Sequence, residues 1–223
     1  MIQNIYINHN ERSIPYFIKK FLSKVEIKNI LDIGCGDGYL YKQIKKNKLN
    51  IDYQGVDINA GIYNIPKQKN IKIIKKREEL FKFKKKYDAI QLFDVLEHDA
   101  VLYDILMHFS KFSKKYIMIS LPNEGQLLNR MKFLFCGIID TMDIKIQYGK
   151  NYNHRHLWCI NPLSATKTIR TMMRKKFDIV NEYNVFSLSL KLHKRIIQKI
   201  LIFFFSSNIM MSSKIIVLKK ITK

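Results

Sequence analysis

The stretch Ile30-Leu31-Asp32-Ile33-Gly34-Cys35-Gly36-Asp37-Gly38-Tyr39-Leu40 limits what this chain can become more than any other part of it. The apolar residues around Asp32 read as the end of a parallel strand, apolar throughout because both faces of such a sheet are covered. Gly34, Gly36 and Gly38 then let the backbone turn sharply and approach a ligand with no Cβ in the way. Tyr39 to Ile44 follows at helical spacing, so the loop leads into a helix start whose exposed N–H groups face the same ligand. The spacing argues against one common use. A dinucleotide-binding G-x-G-x-x-G needs glycine at its sixth position. Here that position holds Tyr39, and the third glycine falls one place earlier.

The rest of the chain alternates strand and helix. Residues 13–25 place Ile14, Phe17, Ile18, Phe21 and Leu22 on one helical face, with Pro15 in the first turn. Strands are expected at 29–33, 52–57, 71–74, 87–93, 116–120, 177–183 and 213–219. Pro122 is expected to stop the fifth of them, because proline cannot donate to a ladder. Helices are expected at 39–46, 101–109, 127–135, 162–175 and 188–205, the third ending near Gly137. Seven strands alternating with helices predict an α/β fold, a doubly wound Rossmann-like sheet in a single domain over residues 1–223. Residues 138–158 keep no period and read as an insertion on the substrate side, where irregular segments on a rigid scaffold carry binding residues.

A chain of 223 residues and 26.6 kDa is long enough to bury a sizeable core. Cys35, Cys136 and Cys159 are odd in number and far apart, which fits reduced thiols and neither a disulfide framework nor a metal site. Residues 1–12 lack an apolar segment of signal-peptide type, so a cytoplasmic location is expected. The formal net charge of +22 has two readings. One is an anionic partner, nucleic acid or membrane. The other, which we favour over a nucleic-acid surface, is a lysine-rich composition inherited from an AT-rich genome. Lysine is spread along the chain, with no arginine-rich tail and no basic tract interleaved with aromatics.

Asp32-Ile33-Gly34-Cys35-Gly36-Asp37-Gly38 resembles the first motif, D-x-G-x-G-x-G, of class I S-adenosylmethionine (SAM)-dependent methyltransferases. Tyr53-Gln54-Gly55-Val56-Asp57 resembles the family's second strand, and Tyr87 to His98 its fourth strand and the loop after it. The resemblance implies SAM as cofactor, with Asp32, Gly34, Cys35, Gly36 and Gly38 around its methionine part. It also implies Asp57 on the ribose, followed by Ile58, and a site position for Asp94. The offset of Asp57 from the glycine turn, close to ~20 residues, agrees with a ribose-binding acid. The family's adenine-reading acid is expected after strand three, where Lys75-Lys76-Arg77 stands instead, and Glu78 or Glu79 is the substitute. By the same resemblance the last strand is antiparallel and inserts between strands five and six.

Glu97-His98 resembles the L-E-H element of many small-molecule O-methyltransferases. His98 is then a candidate general base toward a hydroxyl, since imidazole titrates near neutrality. Glu97 would orient it or help bind a metal. The plainer alternative is that both residues only begin the next helix. Asn123, within Leu121-Pro122-Asn123-Glu124-Gly125, and His154 and His156, within Asn153 to Trp158, resemble the MetW-like branch and are candidates for the substrate side. His154 and His156 have a spacing that suits two zinc ligands, but no cysteine or carboxylate pair completes a site nearby, so no metal is expected.

The leading expectation is methyl transfer from SAM to a small-molecule or glycan acceptor, lipid-linked acceptors included, with oxygen as the expected acceptor atom. An RNA methyltransferase is the alternative within enzymes, suggested only by charge, and a nucleic-acid partner is not expected. A MetW-like SAM-binding protein acting through a partner is the non-catalytic alternative. Residues 188–211 combine an apolar helical face with Lys191, Lys194, Arg195 and Lys199. A helix docked on the sheet is the plainer reading, and peripheral contact with an anionic membrane the sharper one.

Overall fold

The alternation of apolar residues along each strand divides this sheet into two covered faces. The computed structural model describes residues 2–58, 70–74, 76–137 and 156–222. Among them the strands are β1 (Ile2–Asn8), β2 (Asn29–Ile33), β3 (Asp52–Asp57), β4 (Ile71–Ile73), β5 (Tyr87–Leu92), β6 (Ser113–Pro122), β7 (Phe177–Leu188) and β8 (Ser213–Lys220). The helices are α1 (Ile14–Lys20), α2 (Tyr39–Lys46), α3 (Leu102–Ser110), α4 (Leu127–Cys136), α5 (Pro162–Met173), α6 (Leu192–Phe204) and α7 (Ser207–Met210). The sheet order is β1-β7-β8-β6-β5-β2-β3-β4. Every neighbour pair is parallel except those of β8, which is antiparallel to both β6 and β7.

Leu31, Ile33, Ile90 and Leu92 point to one face, where Ile105, Leu106 and Phe109 of α3 and Ile169 and Met173 of α5 cover them. Ile30, Tyr53, Ala89 and Met118 point to the other, under Phe17 and Ile18 of α1 and Leu40 and Ile44 of α2. Fully burying one such aliphatic side chain contributes about 1.5–3 kcal/mol, so these layers hold the strand ends in register.

The expected seven strands become eight. The first residues, Ile-Gln-Asn-Ile-Tyr-Ile-Asn, form β1, which pairs parallel with Glu182–Leu188. Only Ile5 and Ile7 of it are buried, so its apolar signal is short and its partner lies about 180 residues away in the sequence. That pairing also extends β7 to Leu188, beyond the expected end at 183, and delays α6 to Leu192. Pro122 does not precede the end of β6 but is its last residue, opposite Ser213, a terminal place where a missing N–H is tolerated. α6 is not docked as the plainer reading expected: none of its residues is buried.

Candidate active site

Parallel strands place their carboxyl ends along one edge, and in open α/β sheets ligands bind beyond those ends. The glycine loop leaves β2 at this edge. Gly34, Gly36 and Gly38 have φ of +70°, +52° and +69°, left-handed values that favour glycine. Gly34 N and Cys35 N donate to Val56 O at 2.8 and 3.2 Å, which ties the loop to the neighbouring β3. Gly36 N donates to Asp57 Oδ2 at 2.7 Å, so the acid at the end of β3 touches the centre of the loop. A Cβ at Gly34 would run into Val95 Cγ2, and one at Gly38 would lie 2.8 Å from Ile71 Cδ1. Arg12 pairs with Asp37 at 2.9 Å and lies over the Tyr39 ring at 4.4 Å, which pins the N-terminal segment against the loop.

Asp32 lies beneath this loop. It is 3% exposed, and Tyr53 Oη and Gln91 Nε2 donate to its two oxygens at 2.8 and 3.1 Å. Burial pushes its carboxyl up to about 7, with a smaller push from Asp57, against the two hydrogen bonds that favour the charge. The folded chain then holds this proton more tightly than the unfolded chain. Its contribution to stability is fully present below the ordinary value of 3.8 and is lost as pH rises to about 7. The loss is on the order of 4 kcal/mol across that window. Asp32→Asn, which stays neutral, should be increasingly stabilised relative to the native chain as pH rises through the window. Thermal denaturation at a series of pH values checks this. Parallel curves for the two proteins would mean that Asp32 carries its charge in the fold.

A second group of side chains gathers at the ends of β5 and β6. Asp94 adopts a left-handed φ of +54° and is held by Ser120: its N–H donates to Ser120 Oγ at 2.8 Å, and that hydroxyl donates to Asp94 Oδ1 at 2.7 Å. A 3-10 turn, Leu96–His98, follows and buries Leu96 and Glu97 while His98 stays half-exposed. Leu157 N donates to Glu97 O at 2.8 Å, and Trp158 Nε1 donates to Asp99 O at 2.8 Å. These bonds lay the segment before α5 along the turn and bring the His156 ring to 4.9 Å from that of His98. Glu124, just after β6, hydrogen-bonds His156 Nδ1. Arg77 braces the far side with a two-pronged contact to Asp99 at 2.5 and 2.8 Å.

The electrostatics follow from this crowding. Burial, then the charge of Asp94, pushes Glu97 up to about 8. Burial opposes a charge on His156, but its bond to Glu124 and the charges of Glu124, Glu97 and Asp94 outweigh it, so the imidazole is raised above its ordinary value. Glu97 Oε2 is buried with no hydrogen-bond partner among the described residues. Glu97, His98 and His156 each offer a ligand atom, and these atoms lie within 4.8 Å of one another, close enough to share a cation.

The other expected site residues fall as follows. Cys35 is buried, its thiol pushed up by burial, so it contributes backbone and not a reactive group to the loop. Ile58 is 50% exposed just past β3. Glu78 is exposed on a 3-10 turn, Arg77–Lys82, while Glu79 Oε1 accepts from Lys76 N at 3.2 Å. Asn123 departs from its expected place on the substrate side. It is 3% exposed, and its amide donates to Asn208 O and Met211 O at 2.8 and 2.9 Å, so it ties β6 to the turn before β8. Its neighbour Glu124 is the residue that reaches the cluster, and it was missed because a contact with His156 across 32 residues leaves no local pattern. His154 and most of the 138–158 insertion lie outside the described residues.

A glycine loop with an acid at the next strand end, beside an acid and histidine cluster, defines a ligand-binding edge of the methyltransferase type. The chain belongs to the methyltransferase-domain family, whose match covers residues 6–175. No curated protein matches the sequence significantly. Among solved structures, a SAM-dependent methyltransferase from Archaeoglobus fulgidus is 19% identical with a TM-score of 0.62, covering 93% of each chain. Magnesium protoporphyrin IX methyltransferase from Synechocystis PCC 6803, with bound S-adenosylhomocysteine (SAH), is 13% identical with a TM-score of 0.52, covering 94% of this chain and 82% of that one. The small RNA methyltransferase HEN1 is 14% identical with a TM-score of 0.57, covering 94% of this chain and 25% of that one. At these identities the likeness is one of fold.

Proposed function

We propose that this protein transfers a methyl group from SAM to a hydroxyl oxygen of a small-molecule or lipid-linked glycan acceptor. The observation that carries the reading is the placement of Glu97, His98, His156 and Glu124 at the same sheet edge as the glycine loop. The loop suits the cofactor: its left-handed glycines hold the turn tight, and side chains at Gly34 and Gly38 would collide with Val95 and Ile71 and push the loop out of place. Gly34, Gly36 and Gly38 with the Asp32 and Cys35 backbone would hold the methionine part and Asp57 the ribose. Ile58 and Glu78 would border the adenine, and Asp94 would close the edge. The bound cofactor supplies an activated sulfonium methyl: the new O–C bond forms as the S–C bond breaks, and the sulfur keeps that electron pair as a thioether. What remains for the chain is to position the acceptor and to receive the hydroxyl proton. His98 is half-exposed at the edge and takes the proton. Glu124 holds the neighbouring His156 ring in place.

Two exposed helices favour a lipid-linked acceptor within this reading. α6 exposes Leu192, Phe203 and Phe204 at 73%, 84% and 76%, interleaved with Lys194, Arg195 and Lys199. α4 exposes Leu134 and Phe135, each at 72%, beside Arg130 and Lys132. No acidic residue follows Glu182 in the sequence. Among the described residues no helix is long and apolar enough to cross a membrane. Helices of this kind lie in the plane of an anionic interface, with aromatics at the acyl boundary and lysines near headgroups. Cosedimentation with anionic vesicles at low salt is expected, with release at high salt. Transfer of a labelled methyl group from SAM should be followed with hydroxyl-bearing glycolipids, soluble phenols and RNA oligonucleotides in parallel. Label in the RNA alone would replace this reading with the nucleic-acid one.

A further inference from the structure

We infer that Glu97, His98 and His156 bind a divalent first-row metal ion, with Glu124 positioning His156 as a ligand. Three features of the cluster converge on this. The candidate ligand atoms lie within 4.8 Å of one another, although they come from two segments about 60 residues apart. The Glu97 side chain is 1% exposed, and its Oε2 lacks any hydrogen-bond partner among the described residues. An orphaned buried acceptor is costly and rare in a native fold, and a cation is a partner that would satisfy it. His156 is bonded to Glu124 through Nδ1, which leaves Nε2 as its ligand atom. A carboxylate on the far nitrogen is how metal-binding imidazoles are held in the correct tautomer and orientation.

A proton-accepting histidine alone would need neither the buried Glu97 carboxylate nor a second imidazole locked by an acid. The scaffold is also stiff at this point. Leu157 N to Glu97 O and Trp158 Nε1 to Asp99 O join the two ligand-bearing segments, and Arg77 anchors Asp99 from outside. The donor set selects the class of ion. Two imidazoles and one carboxylate, with no thiolate in the group, match Mn²⁺, Fe²⁺, Co²⁺ or Zn²⁺ better than Ca²⁺, which takes oxygen ligands. Three protein ligands leave coordination positions open at the sheet edge. The inference rests on the oxygen-methylation reading for its purpose: a cation here would hold the acceptor hydroxyl and ease loss of its proton, and His98, as a ligand, would act through the ion in place of taking the proton itself.

The test is a titration of the chelator-treated protein with Mn²⁺, read by the paramagnetic resonance of free Mn²⁺ and by calorimetry, with SAH binding measured on the same samples. One ion per chain is expected. Glu97→Gln, which keeps the side-chain shape, and His156→Ala, at a half-exposed position, should each weaken it at least ~10-fold, and Glu124→Gln by ~10–100-fold. SAH affinity should be unchanged in all three, which also reports that they fold. Absence of stoichiometric Mn²⁺ and Zn²⁺ binding by the native protein would overturn the inference. Binding indifferent to both Glu97→Gln and His156→Ala would overturn it as well. The two readings fail separately. If His98→Ala slows methyl transfer in a protein that binds no ion, the metal site falls and oxygen methylation stands. If the ion binds as expected but no hydroxyl compound is methylated, the site stands and the acceptor reading falls.

Discussion

His98→Ala is expected to lower kcat for transfer to a hydroxyl acceptor by ~10²–10⁴-fold, the usual worth of a positioned proton-transfer group. SAH affinity should not change, because the residue stands on the turn after β5 and not on the glycine loop. The ring of His98 packs edge-on against that of His156 at 4.9 Å, so a purely structural role is the competing account. The two separate cleanly in kinetics. A structural histidine would lower stability and leave kcat per folded molecule intact, whereas a group acting on the acceptor lowers kcat in a protein of unchanged stability. An unaltered kcat would return His98 to packing.

Gly34→Ala is expected to remove SAM and SAH binding by on the order of 10²-fold or more while the sheet still forms. Two costs add at this position. A φ of +70° costs an L-residue roughly 1–2 kcal/mol. The new methyl would also run into Val95 Cγ2, and crowding of a packed site costs typically about 1–3 kcal/mol. Relief must move either the loop or the turn that carries Asp94 and Glu97, and both border the ligand edge. Adding Val95→Ala should recover part of the affinity by removing the collision and leaving the backbone cost. For comparison, Asp57→Ala loses only charge-assisted hydrogen bonds, on the order of 1.5–3 kcal/mol. Calorimetry with SAH and circular dichroism on the same samples decide the matter. Full-affinity binding by Gly34→Ala would place the ligand away from this loop.

The strands that line the ligand edge were legible because their information is local. Asn29–Ile33 and Asp52–Asp57 stand where the apolar runs put them, and Tyr87–Leu92 within one residue of its expected end. Gly34, Gly36 and Gly38 announce the turn by composition, since few other residues tolerate its backbone. The glycine pattern also separated this loop from a dinucleotide site, a distinction that needs only residue spacing. The order of the last three strands came from resemblance, and the pairing of β8 between β6 and β7 agrees with it.

The sequence by itself determined the fold class, the glycine loop and the acid beside it, because each depends on residues adjacent along the chain. Tertiary structure alone decided three other matters. β1 is a strand because β7 offers its edge, and an isolated segment with two buried isoleucines has too little apolar surface to declare itself. Asn123 turned inward and Glu124 toward the site, a choice set by which carbonyls and which histidine lay nearby after folding. His156 met His98 and Glu97 because two hydrogen bonds laid its segment along the turn. Contacts between distant segments leave no period in the sequence. Their chemistry exists only once the backbone has been folded to bring them together.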